Sequence, residues 1–300
     1  MTSTWFFIHV LTMEFIPLCF MIEGMQTGDT DSAIWAICHY LLIGFHSGRP
    51  LPALEADCGV YVEQGKELKR EQQVGYITLI WQTVLNLRIH ADNPVRLTGE
   101  VMDQDKCISV ANSTGNPVLS AWVDALRMQL CAIFGEHETG AQLALAFGDR
   151  LGKIAPGSPH AAFDPFFRAI CLFSMARITK QNNFKTHALK VAATIKSWVK
   201  KGNPNLRQLD AILDAEKAAL ESRIKSARKH YHEAIVMSAK CGFVHHAALA
   251  NERYGEFALH VMKDREEASY RFKEAIKYYS DWGSRTKVDM LQERYNYLLV

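Results

Sequence analysis

The sequence predicts an all-α protein arranged as an α-solenoid, and three observations carry that prediction. Strand signals are nearly absent: alternating runs are few, and no Asn-Gly or Asp-Gly pair marks a hairpin. Apolar residues recur at helical spacing from one end of the chain to the other. A stretch near the C-terminus also repeats at a fixed offset, as stacked supersecondary units do.

The repeat is the most specific of the three. "SARKHYHEAIVMSAKCG" (226–242) falls on "EASYRFKEAIKYYSDWG" (267–283) at an offset of 41 residues, without a gap. Ala227 meets Ala268, Tyr231 meets Phe272, Ala234-Ile235 meets Ala275-Ile276, and Gly242 meets Gly283. The same offset carries "NERY" (251–254) onto "QERY" (292–295). Small alanines let two helices approach, the aromatic fills the space between units, and the glycine ends the second helix in a left-handed cap. This is the logic of a tetratricopeptide-like antiparallel helix pair in a right-handed superhelix. Ile195 and Gly202 form a weaker echo forty residues before Ile235 and Gly242. Five to seven degenerate pairs are expected, the first and last atypical.

The elements follow in order. "WFFIHVLTMEFIPLCFMI" (5–22) is strongly apolar but holds His9, Glu14 and Pro17, with no basic residue before it. It lacks the basic start of a signal peptide and carries a carboxylate within any span. A buried helix pair broken near Pro17 is expected, with a membrane segment as the alternative. "DTDSAIWAICHYLLIGF" opens with capping residues, Leu54–Leu68 reads as amphipathic, and "QQVGYITLIWQTVLNLRIH" is apolar on most sides and so central. Residues 91–117, with Asn93-Pro94, Gly99, Gly115 and Asn116-Pro117, read as a long loop. Helices resume at "VLSAWVDALRMQLCAIF" and "ETGAQLALAFGDRLGKI". "APGSPHAAFDP" is a second break, where Ser158-Pro159 and Asp164-Pro165 read as turns. From "FFRAICLFSMARIT" onward the chain is almost uninterrupted helix. One helical-repeat domain over 1–300 is expected, with possible sub-blocks 1–92, 117–155 and 160–300.

Composition narrows the function classes. The chain has 300 residues, 48% hydrophobic and 22% charged, with a net charge of +2. It can bury a core, and it shows no general affinity for nucleic acid. Its seven cysteines are odd in number and include no C-x-x-C pair, which fits reduced, buried thiols in a cytoplasmic protein.

Several separated stretches also resemble a known family. They are "GMQTGDTDSA", "GFHSGRPLPALEADCGVYVEQGKELKREQQVGYITLIWQTVLNL", "GNPNLRQLDAILDAEKAAL" and "AIVMSAKCGFVHHAALANERYGEFAL" with the following "WGSRTKVDMLQERYNYLL". Together they resemble the tetratricopeptide-like region of large multidomain signalling kinases. In that family a serine/threonine kinase and a predicted ATPase of the AAA/STAND type precede the repeats, and sensor and histidine-kinase or guanylate-cyclase modules often follow. The resemblance spans most of residues 10–299. It implies an α-solenoid that regulates or recruits. No G-x-x-x-x-G-K phosphate loop, H-R-D or D-F-G motif is present, so no catalytic residue carries over. The expectation is a fragment or a stand-alone relative of the repeat region.

Candidate chemistry concentrates in "GFVHHAALANERYGEFALH" (242–260). Cys241, His245, His246 and His260 could be metal ligands, but adjacent histidines diverge by about 100° on a helix, and His260 lies about 21 Å along the axis. His230 and His232 on the preceding helix point to different sides. Surface and helix-end histidines are expected, with no metal and no cofactor. Glu252 and Glu256 share a face, opposite the seam of Ala247, Ala250, Tyr254, Phe257, Ala258 and Val261, and are expected to be solvated rather than catalytic. Asn251 sits at the edge of that seam and either ties its helix to a neighbour or grips a ligand. Tyr231, Tyr254, Phe257, Phe272, Tyr278, Tyr279, Trp282 and Tyr295 read as core and inter-repeat packing. Lys200, Lys201, Lys225, Arg228 and Lys229 read as a solvated face.

The expected function is non-catalytic: a concave groove presented to a protein or peptide, with Asn251, Arg253, Gln292 and Arg294 as partner-binding candidates. The alternative is regulation in cis of an adjoining kinase or ATPase domain.

Overall fold

The computed structural model describes residues 15–91 and 93–299, and among them every regular element is helical. The helices are α1 (Phe15–Thr27), α2 (Thr30–Ser47), α3 (Leu51–Glu67), α4 (Glu71–Arg88), α5 (Gln104–Ser113), α6 (Pro117–Phe134), α7 (His137–Phe147) and α8 (Arg150–Ile154). They continue with α9 (Pro159–Thr179), α10 (Asn182–Lys200), α11 (Arg207–Leu220), α12 (Ile224–Lys240), α13 (Val244–Phe257), α14 (Arg265–Trp282) and α15 (Arg285–Leu299).

Consecutive helices pack as pairs: α1 with α2, α3 with α4, α9 with α10, α11 with α12, and α13 with α14. The recurring residues occupy the positions their chemistry requires. Ala227, Tyr231 and Ala234 of α12 and Ala268, Phe272 and Ala275 of α14 are all wholly buried. Gly202, Gly242 and Gly283 all adopt left-handed φ, at 98°, 78° and 92°. After each, the next amide reaches back to a carbonyl in the preceding turn: Asn203 to Trp198, Phe243 to Ser238 and Ser284 to Tyr279. This cap releases the chain into the next helix at a reproducible angle. Of the eight aromatics expected to pack, seven are buried, and Tyr278 is half-buried.

Three expectations are corrected. Residues 104–113, expected as loop, form α5, because Asp103 caps it by accepting from the Lys106 amide. The loop before it is tied down by Asn86, whose amide donates to the carbonyls of Pro94 and Arg96. The turn expected at Ser158-Pro159 closes at Ser158, whose amide donates to the Ala155 carbonyl at 3.0 Å, and the turn expected at Asp164-Pro165 is absent. Pro159 opens α9, where its missing N–H costs nothing, and Pro165 lies inside the helix. Most of the segment 5–22 lies outside the described residues. The break expected near Pro17 cannot be separated from those residues; within α1 Pro17 is buried, whereas Phe15, Phe20 and Ile22 are exposed rather than buried.

Helix α9 is the centre of the molecule. It is buried continuously from His160 to Ala176 and touches α2, α6, α7, α10 and α11. The chain also returns to its beginning. The Trp282 ring lies 5.9 Å from that of Phe45, Ser284 Oγ donates to the Leu87 carbonyl at 3.2 Å, and α15 packs on α4. A Cβ on Gly283 would stand 2.7 Å from Pro52, so the closure uses the glycine's lack of a side chain. One core runs from Ile34 to Leu298 across the sub-blocks expected from sequence. Among the described residues, one helix, α6, is long and apolar enough to cross a membrane, and 78% of it is buried inside the protein.

Candidate functional site

The C-terminal ends of α9 and α11, the end of α13 and the last two turns of α15 surround a groove of about 890 Å³. Its floor is an ion-pair network built on Arg253. Burying a guanidinium is tolerable only when its donors are paired, and here all five N–H groups are engaged. Nε and Nη2 clasp both oxygens of Glu216 at 2.8 and 3.0 Å, and Nη2 also donates to Ser174 Oγ at 2.9 Å. Nη1 donates to Glu256 at 2.7 Å and to His137 Nε2 at 3.0 Å. Glu216 also receives Arg177 at 2.7 Å and the Tyr231 hydroxyl at 2.9 Å.

Electrostatics follow from this arrangement. Burial by itself would raise the Glu216 carboxyl, but Arg177, Arg253 and Tyr231 outweigh it and hold the group at about 2. Burial pushes His137 down to about 3, and Arg253 pushes the same way, so the ring is neutral and accepts from the guanidinium. A second closed network lies beside the first. Lys287 Nζ meets Glu252 at 2.6 Å, and the Tyr279 hydroxyl donates to the other oxygen of Glu252 at 2.9 Å. Burial lowers Lys287, and Glu252 opposes that shift.

These contacts overturn the reading of α13 as a helix with one solvated face. Glu252 is 3% exposed and Glu256 is mostly buried against Arg253. His245 and His246, expected at the surface, are buried too. The helical wheel assumed that one face meets water, but α13 packs on α11, α12 and α14, and its start meets α2.

The four partner-binding candidates separate. Asn251 is buried and donates to the Ala247 carbonyl of its own helix, with Arg271 of α14 3.5 Å from its Oδ1. Arg253 lines the groove, but its donors are committed inside the protein. Gln292 is exposed and lies outside the groove. Arg294 is exposed, lines the groove and has no carboxylate partner among the described residues. The repeat-equivalent arginines thus converge on one groove, one closed and one open. Lys180, at the left-handed end of α9, adds a second cation without a carboxylate partner among the described residues, and Ile178 and Tyr297 present apolar surface beside them.

Sequence reasoning missed Glu216, Ser174, His137 and Lys287. Glu216 carried a signal, as a carboxylate among the alanines of α11's apolar face. The others carried none, because their partners lie 35 to 116 residues away. Among the described residues no group of three His, Cys, Asp or Glu side chains could hold a metal ion. Comparison with protein-family models, with curated proteins and with solved structures gives no match.

Proposed function

We propose that the chain is a non-catalytic helical-repeat module whose groove, lined by Arg294, Lys180, Ile178 and Tyr297, receives a segment of a protein partner. The carrying observation is the contrast between floor and rim. The floor charges are neutralised by internal partners, whereas the rim cations Arg294 and Lys180 meet no carboxylate among the described residues, Arg294 touching only the Tyr295 hydroxyl. A charge-neutralised floor with exposed cations and apolar groups above it suits recognition. Acid–base chemistry is poorly served there, because Glu216 is held ionised and His137 neutral throughout the neutral range.

The architecture we propose is a right-handed stack of tetratricopeptide-like pairs. Its support is the sequential pairing of helices, the 41-residue recurrence and the shared glycine caps. A role in cytoplasmic signal transduction, as a free adaptor or in cis to a kinase or ATPase, rests on the resemblance given above.

Photo-crosslinking tests the groove. A benzoylphenylalanine at Ile178 or Tyr297 should capture a partner that the same probe at Val110, on α5, does not. Capture should fall at least tenfold with Arg294→Glu. Identical captures at all three positions would overturn the proposal.

A further inference from the structure

Four histidines that the groove does not use meet where the end of the chain closes on its beginning. His46 comes from the last turn of α2, His160 from the first turn of α9, and His245 and His246 from the first turn of α13. None is more than 4% exposed. His46 Nε2 and His160 Nδ1 share a hydrogen bond at 2.6 Å, and the His245 and His246 ring centres are 3.9 Å apart. Phe163 stacks on His46, Phe243 on His246 and Trp282 on His245, at 4.3, 5.3 and 5.0 Å.

Five ring nitrogens in this cluster have no hydrogen-bond partner among the described residues: His46 Nδ1, His160 Nε2, both nitrogens of His245, and His246 Nε2. Such groups are uncommon in folded proteins and call for an explanation. Among the described residues no three metal-ligating side chains converge here. Each neutral ring has one nitrogen that can still take a proton.

The neighbours show what a proton would meet. Just past the end of α2, Arg49 is paired with Asp57 at 2.7 Å. On α9, Asp164 stands one turn beyond His160 and is paired with Arg168 at 2.7 Å. The side of α11 offers only the Gln208 amide, α14 offers Trp282, and α6 offers the Ala125 carbonyl beside His160. Among the described residues no carboxylate faces the rings to receive an imidazolium.

We propose that this histidine seam is a proton-operated latch: acidification releases the start of α13 from α2 and α9 while the α11–α12 pair stays folded. The inference does not depend on the groove reading. Burial holds all four rings below their ordinary value, His160 at about 4 and His245 at about 3. A base depressed in the closed state favours closure fully above about 6.5 and loses that advantage as pH falls below it. Each histidine released shifts the equilibrium toward opening by up to about tenfold per pH unit. Asp164, raised to about 6 by its burial, binds its proton in the closed state and so opposes opening in the same window.

Hydrogen exchange of the full chain, corrected for intrinsic rates, tests this between pH 7.5 and 5.5. Amides of residues 44–49 and 243–248 should lose protection by more than tenfold relative to residues 227–235. Equal loss everywhere, or none, would overturn the proposal. His245→Phe/His246→Phe should flatten the response, and an unchanged response would count against it. If that variant does not fold, histidine ring signals of the unmodified chain decide. A cluster ring that titrates near 6.5 while the seam stays protected would sink the latch.

Discussion

Arg253 and Glu216, 37 residues apart, form a two-point ion pair at 2.8 and 3.0 Å with side chains 2% and 0% exposed. Such a pair is weak evidence for net stabilisation, but removing one partner strands the other in low dielectric. Arg253→Leu should therefore cost about 3–5 kcal/mol in urea unfolding. A loss below about 1 kcal/mol would mean that Arg177 alone satisfies Glu216.

The Lys287–Glu252 pair permits a sharper test. Lys287→Met alone should destabilise by about 3 kcal/mol or more, because Glu252 keeps only the Tyr279 hydroxyl. Adding Glu252→Gln should recover most of that loss, since neither residue then carries a buried charge. A double-mutant cycle by chemical denaturation measures the coupling, and additive losses would contradict it.

Glu216 also sets a pH dependence. Its carboxyl is depressed from 4.5 to about 2, so its contribution is fully present above pH 4.5 and fades as pH falls toward 2. A shift of that size is worth about 3 kcal/mol. Glu216→Gln should have a lower melting temperature at pH 7 and a shallower fall between pH 4.5 and 2.5, as followed by circular dichroism.

Two helical glycines should respond oppositely to alanine. A Cβ at Gly255 would stand 2.8 Å from the Phe272 ring, the contact that brings α13 against α14. Gly255→Ala should cost about 1–3 kcal/mol. A Cβ at Gly75, in α4, meets nothing within 4 Å. Gly75→Ala should stabilise by about 0.5–1 kcal/mol by restricting the unfolded chain. Thermal melts of the two variants should move in opposite directions.

What could be read from the sequence follows the range of the interactions. The helix pairs of the final third, their glycine caps and their aromatic packing were legible, because each depends on residues within about forty positions. The central place of α9 was not. Pro159 and Pro165 look like punctuation until one sees that the first opens the helix and the second lies inside it. The charges of α13 were misread for a related reason. A wheel drawn for one helix cannot show that Glu252 faces Lys287 or that Arg253 faces Glu216. The groove was half legible: the repeat singled out Arg253 and Arg294 together, but only the packing distinguishes the arginine clasped by carboxylates from the exposed one.

The Ser284–Leu87 hydrogen bond spans 197 positions, and its effect is on cooperativity. An open array can fray from its last unit inward, each repeat giving way in turn. Here the last described helix pair is pinned to the first half of the chain by Trp282, Gly283 and Ser284, so its melting must break contacts far from it in sequence. Heat or denaturant should therefore take the helices apart in a single transition, and excision of residues 265–299 should unsettle α2 and α4 as much as their neighbours in sequence.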